Sequence, residues 1–220
     1  MARHLVATLL PLLLLPPAAA PLVADQQSCR APPARPLTLR LEDFGASTRS
    51  PDNYPAFAAA VATVARSRQP AELVVGPGRW VTSPFNLTSR MTLRLAAGAV
   101  LQGTSDIARH PVLPPLPTYG QGRDYGNGHY TSLIHGEGLR DVAIVGASAS
   151  ASVVDGSGAV WWALSGKHGR TLGLNFTRGH LVEFINSSDI HISNLRLQNS
   201  PFCRLESATH SHLFTTPQSV

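Results

Sequence analysis

Hydrophobic positions fall into three regimes along the chain. From Leu5 to Leu15 they are nearly continuous, broken by Ala, Thr and one Pro. Between residues 57 and 64 they take helical spacing. Phe57, Ala60, Val61 and Val64 sit at i, i+3, i+4 and i+7, the apolar stripe of a helix that must bury one face. Ser50 and Asp52 signal its start, Pro55 suits its first turn, and Pro70 ends it. The rest of the chain alternates as strands do. Among these runs are Leu37–Leu41, Glu72–Val75, Met91–Leu95, Ser132–His135, Val142–Val145, Val182–Ile185, Asp189–Ile192 and Leu195–Leu197. Gly, Asn, Asp, Ser and Pro separate them. No further long helical pattern intervenes, which excludes a βαβ architecture with a helix after most strands.

Two strand runs match each other. Asp141-Val142-Ala143-Ile144 returns, in the same pattern, as Asp189-Ile190-His191-Ile192. Solenoid repeats run ~20–50 residues, so the step from Asp141 to Asp189 is expected to be about two coils of a parallel β-helix. Alternate residues then point inward and stack on the next rung, which places Val142, Ile144, Ile190, Ile192, Leu195 and Leu197 in the core. An amphipathic helix ahead of the first coil is the expected plug for the solenoid's open end. A β-sandwich also uses short strands, but it accounts for neither the leading helix nor the repeat offset.

The first apolar run spans roughly eleven residues, short of the roughly twenty that cross a bilayer. Arg3 and His4 precede it, and Ala18, Ala19, Ala20 and Ala24 follow. That order predicts a secretory signal peptide over residues 1–24, a secreted product, and no membrane segment in the mature form. Residues 25–36, with Pro32, Pro33 and Pro36, read as a linker. Three sequons, beginning at Asn86, Asn175 and Asn186, are candidate N-glycosylation sites. Cys29 and Cys203 are too few for a disulfide framework, and whether they pair stays open.

The net charge of +5 rests almost wholly on Arg, with Lys167 the single lysine. A basic chain can favour a polyanion. These Arg residues are dispersed, however, and no nucleic-acid-reading motif is present, so a nucleic-acid partner is not expected. His210 and His212 have no third metal ligand nearby in sequence, and no Gly-rich phosphate loop is present. No metal and no cofactor are expected. Oligomeric state is not legible.

Several segments, in order, resemble plant polygalacturonases. They are Phe44-Gly45-Ala46, Asp52-Asn53, Val75-Gly76-Pro77-Gly78-Arg79-Trp80, Ser83-Pro84-Phe85-Asn86-Leu87-Thr88 and Tyr119-Gly120-Gln121-Gly122-Arg123. Asp155-Gly156-Ser157-Gly158 with Trp161-Trp162, Arg178 to Glu183, and Asn199-Ser200-Pro201-Phe202 complete the series. The resemblance implies a right-handed parallel β-helix over residues 37–202. It also implies hydrolysis of pectin galacturonan without a metal, and a place in the cell wall.

Inverting glycoside hydrolysis needs a carboxylic acid and a carboxylate base ~6.5–9.5 Å apart. The resembled family draws its acids from Asn-Thr-Asp and Gly-Asp-Asp motifs, and binds sugar through Gly-His-Gly and Arg-Ile-Lys. None of the four occurs in this sequence, and no two Asp residues are adjacent. No catalytic residue is assigned. Lys167-His168-Gly169 and Arg178-Gly179-His180 are imperfect matches. Asp141 and Asp189, at about two rungs, would stand roughly 10 Å apart, and each reads better as a turn residue. Asp155 reads as a turn residue too, and Glu183 as a rung position or structural ion pair. From Cys203 to Val220 both the alternation and the resemblance stop. The expectation is an aperiodic tail, an uncapped last coil, and an inactive chain lacking the catalytic half. The alternative is a non-catalytic pectin-binding or decoy fragment.

Overall fold

A computed structural model describes residues 32–115, 128–165, 174–203, 205–208 and 213–215. The expected leader, most of the linker and Cys29 lie outside the described residues. Strand β1 (Leu37–Arg40) leads into helix α1 (Tyr54–Arg66). Three parallel sheets then build up in turn. The first holds β1, β2 (Ala71–Val75), β5 (Met91–Leu95), β10 (Arg140–Gly146), β13 (Ser188–Ser193) and β16 (Leu213–Thr215). The second holds β3 (Gly78–Thr82), β6 (Ala99–Gly103), β11 (Ser152–Asp155) and β14 (Arg196–Gln198). The third holds β4 (Phe85–Asn86), β9 (Ile134–Glu137), β12 (Val182–Ile185) and β15 (Leu205–Ala208). The chain visits first, second and third sheet cyclically, which makes a parallel β-helix. A small antiparallel pair, β7 (Val112–Leu113) with β8 (His129–Tyr130), stands apart from the coils. A six-residue helix, α2 (Ala159–Leu164), follows β11.

The predicted alternation becomes columns of stacked side chains. Leu39, Leu73, Leu93, Ile144 and Ile192 occupy consecutive rungs of the first sheet. The last four are fully buried. Trp80, Leu101, Val154 and Leu197 form the matching column of the second sheet, and Phe85, Ile134 and Val182 that of the third. Gly136 sits beside Phe184 in the third sheet, where a Cβ would come within 2.7 Å of the Phe184 ring. The missing side chain is what lets that ring enter the core.

The step from Asp141 to Asp189 is a single coil, not two. Val142 pairs directly with Ile190, and Ile144 with Ile192. The coil is long because a chain excursion, from β11 to β12, lies between its second- and third-sheet strands; the coil before it carries another, from β6 to β9. The step from Ala71 to Met91, also one rung, has no such excursion and is less than half as long. The tail departs from expectation too: β15 pairs with β12, and β16 with β13. Backbone hydrogen bonding continues there although side-chain alternation does not.

Helix α1 plugs the open end as its stripe requires. Ala56, Phe57, Ala60 and Val64 are buried, and the Phe57 ring stacks on Phe85 at 4.2 Å. Asn53 stitches the helix start to the first coil. Its Nδ2 donates to the carbonyls of Ser47 (3.1 Å) and Val81 (2.9 Å). The end of the expected linker is also fixed. Arg35, with its side chain 2% exposed, donates to both carboxylate oxygens of Asp141 (2.7 and 2.8 Å) and to Thr92 Oγ1 (2.9 Å).

Candidate functional site

A groove of about 620 Å³ opens over the third sheet, bounded by the start of α1 and by the excursion carrying β7 and β8. Asp52, Asn86, Arg109, His135 and Glu137 bring polar groups to it. Asp52 is committed on every side. It accepts from the backbone N–H of Tyr54 (2.9 Å) and of Ser83 (2.8 Å), from Ser83 Oγ (2.6 Å) and from Arg109 Nη1 (2.8 Å). Burial pushes the Asp52 carboxyl upward, but these hydrogen bonds outweigh it and hold the group below the usual carboxylate range. Asp52 therefore remains charged and structural, tying α1 to the β3–β4 turn.

Behind the groove lies a buried polar cluster. His135 and Glu183 are neighbours in one outward column of the third sheet, after Asn86. The Glu183 side chain is wholly buried. Its Oε2 lies 2.8 Å from His135 Nδ1 and accepts from Ser132 Oγ at 3.3 Å. Its Oε1 is 3.7 Å from Nε2 of His129 on β8. Burial alone would raise the Glu183 carboxyl. The hydrogen bonds and charges of His129 and His135 more than offset that and bring it down to about 2. Glu183 is an anion that fastens the excursion to the coil wall.

Asp141 and Asp189 sit at the same corner of adjacent rungs, both with left-handed backbone (φ 59° and 57°), and Arg90 takes that conformation (φ 60°) at the matching corner one rung earlier. Asp tolerates this conformation well, which is the turn role. The expected two-rung separation is wrong for the same reason that the repeat step is one coil. Each of the two also meets an arginine, Asp141 through Arg35 and Asp189 through Arg140 at 3.2 Å. Asp155 accepts from the Ser157 N–H (2.8 Å), Gln198 Nε2 (2.7 Å) and Asn199 Nδ2 (2.8 Å), a turn and rung role.

Asn86, Asn175 and Asn186 are all exposed. His180 is buried, its ring 5.5 Å from that of Phe202. Cys203 is exposed. Tyr119 to Arg123, Lys167 to Gly169, His210 and His212 lie outside the described residues. Among the described residues there is no group of three His, Cys, Asp or Glu side chains able to hold a metal ion, and no helix long and apolar enough to cross a membrane.

Sequence reading missed the pairing of His135 with Glu183. The signal was present, because the step from His135 to Glu183 is the same as that from Asp141 to Asp189. Read as one coil, that step places the two side chains next to each other.

No family model matches the chain. A Vitis vinifera protein described as "Probable polygalacturonase" is 44% identical over 177 residues, covering 79% of this chain and 34% of that protein. The chain thus spans about a third of the length of the curated relative it matches. An exopolygalacturonase from Thermotoga maritima superposes with a TM-score of 0.64 at 21% identity, over 85% of this chain and 49% of that one. A family 28 exopolygalacturonase from Yersinia enterocolitica gives 0.60 at 18% identity, over 83% and 39%. At those identities the solved structures speak to fold, and they share the parallel coil. Sequence and fold together place this chain among the polygalacturonase-like parallel β-helix proteins.

Proposed function

We propose that the full-length protein is a secreted hydrolase of pectin galacturonan, and that the present chain supplies the first coils of its β-helix without its acid pair. The observation that carries the first half is the 44% identity over 177 residues. The second half rests on how the carboxylates are used. Asp52, Asp141, Asp155 and Glu183 are each held by hydrogen bonds or ion pairs that serve the coil. A general acid must instead meet the glycosidic oxygen, with a base across the sugar ~6.5–9.5 Å away. The sequence also lacks the Asn-Thr-Asp and Gly-Asp-Asp motifs that the resemblance would require.

The test is a reducing-end assay on polygalacturonate with two proteins. One is this chain; the other is the product of transcripts that read on past Phe202 into paired aspartates. Turnover by the longer product alone supports both halves. Turnover by this chain overturns the second half, and no turnover by the longer product overturns the first. A second reading is that the chain grips pectin without cutting it, favoured by its net charge of +5. Retention on immobilised polygalacturonate, released by salt and without new reducing ends, would mark that case.

A further inference from the structure

The groove above the third sheet has a feature that the hydrolase reading does not use. Asn86 lies on its wall, exposed, on the outward side of β4. Asn86-Leu87-Thr88 is a sequon. Leu87 is buried, so the strand holds Asn86 in a fixed outward direction.

The rest of the wall does not suit a polyanion. Asp52 and Glu137 bring two carboxylates against one guanidinium, and Arg109 is already engaged by Asp52 (2.8 Å) and Asp106 (3.2 Å). A uronate chain would meet net negative charge. The groove also presents Tyr54, 45% exposed, together with Pro84, Pro111 and Leu113. An aromatic ring and apolar rings beside hydrogen-bonding groups fit a neutral sugar, whose C–H faces stack on such surfaces.

We propose that Asn86 is an N-glycan acceptor and that the groove is the seat of the glycan's own first, neutral N-acetylhexosamine units. The transfer precedes folding, in the secretory lumen. The donor is a lipid-linked oligosaccharyl diphosphate. Nδ2 of Asn86 forms a bond to C1 of the first sugar, the C1–O bond to the lipid diphosphate breaks, and the amide gives up one proton. The chain then folds with the sugar lying between Tyr54 and the Pro111–Leu113 side of the excursion. The inference needs entry into the secretory pathway, and it stands independently of pectin hydrolysis.

The full chain, translated with microsomes, tests this directly. Glycopeptide mass spectrometry of all microsome-associated protein should find Asn86 occupied. Asn86→Gln and Thr88→Ala should each remove one glycan-sized step in gel mobility, while Thr88→Ser retains it. Glycan-releasing amidase applied to the native protein should free the Asn86 glycan several-fold more slowly than those at Asn175 or Asn186. After denaturation the rates should converge. An unmodified Asn86 overturns the proposal, whether or not the other sequons are used. Occupancy with equally fast native release overturns the seat, because it places the glycan in open solvent.

Discussion

Two columns of the same coil are buried by different means. The inward column of the first sheet, Leu73, Leu93, Ile144 and Ile192, is aliphatic from rung to rung. Each residue removes hydrocarbon from water, and the contact is non-directional, so any apolar side chain of similar volume would serve. The outward column of the third sheet, Asn86, His135 and Glu183, passes from exposed to wholly buried over three rungs. There burial is tolerable only because His129, His135 and Ser132 surround one carboxylate. The apolar column sets stability at every pH. The polar column sets it conditionally, and also fixes where the excursion attaches.

The strongest way to break this contrast is to cut the apolar column at its middle. Ile144→Ala is expected to cost about 2–5 kcal/mol, because close neighbours above and below prevent collapse of the cavity. The loss should read as a lower urea midpoint with little dependence on pH. Glu183→Gln should cost less, about 1.5–3 kcal/mol at neutral pH, the range for hydrogen bonds to a charged group. Its pH dependence is the sharper test. Glu183 titrates at about 2 in the fold against an ordinary 4.5. The unfolded chain therefore takes up its proton first as pH falls. The stabilisation is present above about 4.5, lost progressively as pH drops toward 2, and absent below. Stability curves of wild type and Glu183→Gln should converge over that window, while Ile144→Ala stays displaced throughout. Parallel curves for all three proteins would sink the assignment.

A third variant probes the polar side away from the buried cluster. Asp52→Ala removes four acceptor contacts that join α1 to the β3–β4 turn. The expected cost is about 1–2 kcal/mol, similar to loss of a helix cap. Amide exchange should rise at Tyr54 and Ser83 before it rises in β5 or β10. A loss spread evenly over the coil would mean that the helix plug and the first coil form one unit.

The difference between the columns also explains what was legible beforehand. Met91–Leu95 and Val182–Ile185 are strands over those very residues, with an apolar residue at every second, inward position. Helix α1 was legible because its stripe and its stops are local. Strands β3, β6 and β11 are less legible. Arg79-Trp80-Val81 and Val100-Leu101-Gln102 mix apolar residues on both faces, and β3 begins at a glycine. The His129–Glu183–His135 cluster depends on contacts between residues a full coil or more apart in sequence. It could be found only once the coil length was right. Taking the step from Asp141 to Asp189 as two coils separated His135 from Glu183 by a rung that does not exist. The length of an excursion is not encoded in the strands it joins, so the offset by itself could not decide between one coil and two.

The smallest expected effect concerns Arg35, whose side chain is one of the polar ties on the outer face of the apolar sheet. The guanidinium reaches both oxygens of Asp141 and the hydroxyl of Thr92, which lie on adjacent rungs. Lysine keeps the charge but cannot reproduce the planar fork, so Arg35→Lys tests geometry apart from charge. Asp141 is 39% exposed, and water can replace part of what is lost. A cost of about 0.5–1 kcal/mol is therefore expected, read from urea midpoints and reduced by added salt. Amide exchange near Thr92 and Asp141 should rise while β13 remains protected. If Arg35→Lys instead destabilised the coil as much as Ile144→Ala, the inward column would not be the principal source of stability. The segment before β1 would then act as a clamp across rungs, and the contrast between the two columns would have to be redrawn around the outer face of the first sheet.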